Sequence, residues 1–240
     1  MYGPLMIAGD VSNRDDLFSL LNQFAPDEPL TVKIGMELFY GQGPTIVRDL
    51  QQWGCDVFLD LKLHDIPHTV QRAMIQLGRL GVQYTTVHAL GGRRMIAAAK
   101  AGLVAGAHAA GRPVPKLLAV TELTSVTPAE LARDQHCQLS MTDQVVALAQ
   151  LARDAGADGV ITSPQEVAAL RHAIGPDFWY VTPGIRPAGA AADDQARTAT
   201  PAAAARAGST ALVVGRPILQ AAQPVDAYHA LLKEWNHAQQ

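Results

Sequence analysis

The chain has 240 residues, 48% of them hydrophobic and 17% charged, a composition that excludes a disordered or fibrous protein and suits one large domain as well as two small ones. A formal net charge of -3 and a pI near 6.2 exclude a general attraction to nucleic acid or to an anionic membrane, so any phosphate must be bound by a local site. Cys55 and Cys137 stand far apart in no metal-ligand spacing and read as reduced thiols of a cytoplasmic protein; His136 beside Cys137 does not by itself make a thiol nucleophile.

In chain order, the stretch up to Val11 has a short apolar run, no basic segment ahead of it and an aspartate at position 10, so it reads as neither a signal peptide nor a membrane span. The β-rich run Leu5 to Val11 is followed by a helical stretch, Arg14 to Phe24. The same pairing recurs as Leu30 to Met36 with Pro44 to Trp53, Asp56 to Leu63 with Pro67 to Leu80, and Tyr84 to Ala89 with Arg93 to His108. It continues as Lys116 to Leu123 with Thr142 to Ala155, Gly159 to Ser163 with Pro164 to Ile174, Phe178 to Thr182 with Pro201 to Ala207, and Ala211 to Gly215 with Pro224 to Trp235. Proline at or near the first turn of several helices and glycine after Trp53, Leu80, Ala155 and Ala207 mark where they start and stop.

Eight βα units in this length predict a single-domain TIM (β/α)8 barrel over residues 1–240 rather than a doubly wound open sheet, since about 250 residues is usual for the barrel. The Ala-rich stretch from Pro187 to Ala207 carries Asp193, Asp194, Gln195 and Arg197 and reads as a long mobile active-site loop followed by a short helix.

The third strand holds the most telling residues, in the run Asp60-Leu61-Lys62-Leu63-His64-Asp65-Ile66-Pro67. Alternate side chains of a strand share a face, so Asp60 and Lys62 point the same way, and Asp65 falls past the strand end. Burying opposite charges costs desolvation and is weak evidence for stability, so this segment alone reads either as an ordinary half-exposed strand with a solvated Asp and Lys or as a site of chemistry, and its surroundings favour the second. In a barrel, Asp10, Lys33, Asp60, Lys62, His88, Thr124, Arg186 and Arg216 all fall at or just beyond strand C-termini, the face where barrel enzymes work. Pro183-Gly184-Ile185-Arg186-Pro187 and Gly215-Arg216-Pro217 follow strands seven and eight, where glycine N–H groups and a guanidinium suit a phosphate dianion.

Over essentially its whole length the chain resembles the orotidine 5'-monophosphate decarboxylase family. The resemblance rests on Ala8-Gly9-Asp10, Val32-Lys33-Ile34-Gly35, the Asp60 to Pro67 signature, Thr86-Val87-His88-Ala89, Leu117 to Ser125, Thr182 to Arg186 and Val213 to Pro217. Gly9 stands where leucine is usual and His68 where asparagine is common; neither departure removes a charged residue.

The resemblance implies a cofactor-free, metal-free carboxy-lyase that makes uridine 5'-monophosphate and CO2 from orotidine 5'-monophosphate in pyrimidine biosynthesis. It implies Lys62 as proton donor to C6, Asp60 beside the substrate carboxylate, and Lys33 pairing with Asp60 and reaching the ribose. Asp65, with Ile66 and Thr69, is expected to enter from the other subunit of a homodimer with shared active sites. Asp10 is expected at the ribose, Thr124 at the pyrimidine edge, and Arg186, Gln195, Gly215 and Arg216 at the phosphate.

His88 reads as a barrel-lining histidine held by hydrogen bonds rather than a ligand or base. His64 and His68 at a strand-to-helix junction do not define a metal-ligand face. Two alternatives are a sugar-phosphate barrel enzyme of the same superfamily, such as a hexulose-phosphate synthase, which shares the Asp-x-Lys-x-x-Asp core but uses Mg²⁺, and a phosphate-binding barrel without catalysis.

Overall fold

The computed structural model describes residues 3–187 and 197–239. Eight parallel strands close in chain order, β1 (Leu5–Ala8), β2 (Thr31–Ile34), β3 (Asp56–Leu63), β4 (Tyr84–His88), β5 (Lys116–Val120), β6 (Gly159–Ile161), β7 (Trp179–Thr182) and β8 (Ala211–Val214), with β8 pairing back onto β1. The principal helices are α1 (Arg14–Leu21), α2 (Met36–Gln42), α3 (Thr45–Trp53), α4 (Pro67–Leu80), α5 (Gly92–Ala109), α6 (Pro128–Asp134), α7 (Met141–Asp154), α8 (Val167–Ile174), α9 (Pro201–Ala207), α10 (Arg216–Leu219) and α11 (Pro224–His237).

Period-two alternation divides the strands' apolar residues between two cores. Met6, Ala8, Phe58, Tyr84, Leu118, Val181, Ala211 and Val213 fill the barrel interior. Their neighbours Leu5, Ile7, Val57, Leu59, Leu117, Val160, Tyr180 and Leu212 face outward into the larger core beneath the helices. Phe58, Tyr84 and Trp179 crowd the lower interior, with ring centroids 6.0 Å apart for the first pair and 5.8 Å for the second. Tyr84 and Trp179 open their strands, so aromatic bulk plugs the N-terminal end and leaves the C-terminal mouth to polar residues.

The predicted pairing of strand and helix holds throughout, with β3, α4 and α9 ending where the sequence places them. Most other strands stop earlier: β1 ends at Ala8 rather than Val11 and β5 at Val120 rather than Leu123. The released residues Asp10, Glu122 and Leu123, with Thr124 just beyond them, turn into the mouth. Among the described residues, the short α-helices α2, α6 and α10 were not foreseen. Of these, α6 had a local signal, because Thr127 accepts from Glu130 N–H while the Glu130 carboxylate accepts from Thr127 N–H, a reciprocal cap with Pro128 at the first helical position.

Helices α4 and α5 pack against each other through glycines. A Cβ at Gly106 would run into the Ile75 carbonyl of α4, and one at Gly102 into the Gln71 carbonyl, so only hydrogen there allows the two backbones their approach. Gly81 then ends α4 at φ 74°, a left-handed conformation that glycine adopts without strain.

Candidate active site

The mouth of the barrel holds a cleft of about 590 Å³, within the range of about 300–1,000 Å³ usual for small-molecule sites. Lys33, Asp60 and Lys62 line it from β2 and β3, and Asp10 and Thr124 from the loops after β1 and β5. Gly184, Arg186, Gly215 and Arg216 line its far side after β7 and β8. One cleft therefore joins a lysine–carboxylate array to a pair of glycine–arginine loops.

Asp60 is the hub of the array. Its Oδ2 accepts from Lys62 Nζ at 2.8 Å and lies 3.9 Å from Lys33 Nζ, while Oδ1 accepts from the Thr86 hydroxyl at 2.9 Å. Lys33 makes its shorter contact elsewhere, donating to Asp10 Oδ1 at 2.7 Å, so its expected pairing with Asp60 is the longer of two. Side chains of Lys33 and Asp60 are only 10% and 11% exposed, so each charge acts through little solvent; Lys62, at 27%, is the most open of the three.

The backbone beneath Lys62 is irregular. Leu59 pairs with Thr85 and Leu63 with Val87, so four residues of β3 advance against two of β4. Lys62 itself has φ 50°, a left-handed conformation costly for a residue with a Cβ. Its N–H, removed from the ladder, donates to Thr86 Oγ1 at 2.8 Å. Thr86 thus accepts from the bulge and donates to Asp60, fixing both charged residues with one hydroxyl. Such bulges re-aim side chains next to active sites, here turning the ammonium into the cleft.

Asp65, Ile66 and Thr69 are not brought to this cleft within one chain. All three are exposed on the rim, and Asp65 Oδ1 accepts from Ile66 N–H at 2.6 Å. Gln195 lies outside the described residues. His88 sits on the barrel wall, stacked on His64 with ring centroids 5.7 Å apart, but its buried Nδ1 has no hydrogen-bonding partner among the described residues, so ring stacking rather than the expected hydrogen bond holds that side. Burial first, then the neighbouring His64 and Lys62, push its pKa below the ordinary 6.5, against an upward pull from Glu122 and Asp60. Among the described residues no group of three or more His, Cys, Asp or Glu could hold a metal ion.

Two features escaped the sequence reading. Thr86 had a signal, since the alternation that turns Tyr84 inward also turns Thr86 inward, a polar residue on an interior face. Arg197 and Glu166 had none: they come from different loops and meet as a buried ion pair, Nη1 to Oε1 at 2.7 Å.

Barrel, charged mouth and strand-end loops together define a protein of the (β/α)8-barrel enzyme class, with a polar cleft at the strand C-termini, the face where such enzymes work. The chain belongs to the orotidine 5'-phosphate decarboxylase / HUMPS family, whose profile matches residues 3–231. The orotidine 5'-phosphate decarboxylase of Lactiplantibacillus plantarum is 57% identical over 237 residues, covering 99% of this chain and 100% of the relative. That of Enterococcus faecalis is 48% identical over 236 residues, covering 98% and 99%. The crystal structure of orotidine 5'-phosphate decarboxylase from Lactobacillus acidophilus superposes with a TM-score of 0.87 at 50% identity, over 97% of this chain and 99% of that one. No helix among the described residues is long and apolar enough to cross a membrane.

Proposed function

We propose that this chain decarboxylates orotidine 5'-phosphate to uridine 5'-phosphate in de novo pyrimidine biosynthesis, as a cytoplasmic homodimer and without a cofactor. The observation that carries this reading is Lys62 held 2.8 Å from a mostly buried Asp60, in the same cleft as Arg186 and Arg216.

The bond from C6 to the carboxylate breaks, CO2 leaves, and the electron pair stays on C6. No adjacent carbonyl absorbs that pair simply, so the site must supply a fixed positive charge and a proton. The Lys62 ammonium gives both: it faces the developing carbanion, donates its proton to C6, and regains one from solvent. Asp60 lies beside the departing carboxylate, where its charge disfavours the bound ground state relative to neutral CO2. Lys33, between Asp10 and Asp60, keeps the array rigid and with Asp10 offers partners to the ribose hydroxyls.

At the far side Arg186, Arg216 and Gly215 hold the phosphate, a guanidinium matching two of its oxygens, and Gln195 joins them. Thr124 reads the pyrimidine edge. Phosphate binding remote from C6 helps assemble the charged end. Asp65, Ile66 and Thr69 complete the neighbouring chain's site, a role supported by their exposure beside the cleft rather than inside it.

The magnesium-dependent sugar-phosphate reading separates cleanly in one experiment. Purified protein stripped with EDTA is mixed with orotidine 5'-phosphate and the fall in ultraviolet absorbance is followed. Turnover equal with and without EDTA supports the proposal; no turnover without Mg²⁺ overturns the metal-free reading, and none under either condition overturns the substrate.

A further inference from the structure

Arg197 lies outside the cleft lining yet touches the loops that build it. Its Nη1 donates to Glu166 Oε1 at 2.7 Å, just before α8, and its Nη2 donates to the Leu123 carbonyl at 2.9 Å, in the loop after β5. Two residues on, Ala199 bonds to the loop after β7: Arg186 N–H donates to the Ala199 carbonyl at 2.9 Å, and Ala199 N–H donates to the Gly184 carbonyl at 3.2 Å. Residues 197–199 therefore fasten the wall carrying Leu123 and Thr124 to the wall carrying Gly184 and Arg186.

Stability is a poor explanation for this arrangement. Two buried ions are often no better than a well-packed apolar pair of the same volume. Side chains of Arg197 and Glu166 are 8% and 6% exposed, and among the described residues Arg197 Nε and Glu166 Oε2 have no hydrogen-bonding partner. What the pair does secure is direction, because a guanidinium presents several donors in one rigid plane and can serve a carboxylate and a carbonyl at once.

We propose that Arg197, braced by Glu166, is a positioning residue that couples the two walls, so that a phosphate held on the Arg186 side fixes Thr124 against the pyrimidine. This rests on the decarboxylase reading above. A substrate without phosphate cannot use the coupling, so its loss falls on the nucleotide.

The test compares kcat/KM for orotidine 5'-phosphate and for orotidine. Arg197→Met should shrink the preference for the nucleotide by roughly ten-fold, within the lower part of the range of about 5–150-fold typical for coupling between sites. Arg197→Lys, which keeps the charge toward Glu166 but cannot hold both acceptors in one plane, should restore the preference only in part. A fall by the same factor for both substrates, with the preference unchanged, would show a merely structural role and overturn the coupling. If Arg197→Met does not fold, Arg197→Met/Glu166→Leu, which leaves no ion unpaired, is read instead: a shrunken preference supports the proposal and a wild-type preference overturns it. Wild-type protein inactive on orotidine 5'-phosphate would overturn the decarboxylase reading itself, a failure distinct from an unchanged preference.

Discussion

At the scale of single residues, Lys62 is asked to do two jobs, and replacing it removes both. Lys62→Ala should retain its circular dichroism and lose well over ten-fold in kcat/KM, more than about 1.4 kcal/mol of transition-state stabilisation; retention of a tenth of the activity or more would contradict the role. Thr86→Val is the subtler case. It leaves the Asp60 carboxylate and the Lys62 N–H each short of a partner, so kcat should fall while the phosphate contacts, and with them much of the binding, remain. Steady-state kinetics showing a changed KM and an unchanged kcat would speak against it. The charged face of β3 was legible because period two puts Asp60 and Lys62 together whatever the details. The bulge and the left-handed Lys62 were not, because nothing local in Asp-Leu-Lys announces a strain that only the neighbouring strand can hold.

His88 carries a pH prediction. Its folded pKa lies below the ordinary 6.5, so as pH falls through 6.5 the unfolded chain takes up the proton first. The stability that depends on neutral His88 is thus complete above about 6.5 and is lost progressively below it. His88→Asn should flatten the fall of Tm with pH in that window, and parallel Tm profiles for variant and parent would contradict the assignment.

At the scale of elements, the alternation of β-rich and amphipathic runs was enough to place every barrel strand, because each must bury one face inward and one beneath a helix. Strand ends were less legible: Val11, Thr121 and Leu123 are as β-prone as the residues within and carry the runs past Ala8 and Val120, whereas Gly9, Asp10 and Glu122 are poor strand residues and mark where the ladder gives out. Glycine positions divide in the same way between those that end helices, visible in the sequence, and those that let helices touch, which are not. Gly106 of α5 belongs to the second kind, and Gly106→Ala should cost about 1–3 kcal/mol through the clash with the Ile75 carbonyl. At Gly41 in α2 an added methyl would meet nothing within 4 Å, so Gly41→Ala should be neutral or gain up to about 1 kcal/mol from helix propensity. Urea midpoints ranking the two the other way would contradict the packing described for α4 and α5.

At the scale of the whole molecule, the described chain keeps Asp65 exposed and out of the cleft lining while also exposing several large apolar residues. Met36, Tyr40, Ile66 and Leu90 are 46%, 72%, 66% and 43% exposed, and they follow β2, β3 and β4, three neighbouring strands whose loops share one sector of the rim. Under the proposed homodimer, that surface would meet a second copy and bring its Asp65 to this chain's Lys62. Sequence alone could mark Asp65 as unusual but could not say which chain it serves, since that depends on a contact between barrels. Mixing Asp65→Ala and Lys62→Ala proteins, each nearly inactive, tests most directly whether the decarboxylating array is assembled from two chains. In a mixed dimer one site carries both defects and the other neither, so statistical re-pairing should return up to about a quarter of wild-type activity per total site. If mixed dimers, verified by native mass spectrometry, gain nothing over either parent, Asp65 does not complete the partner's site and the shared array is wrong.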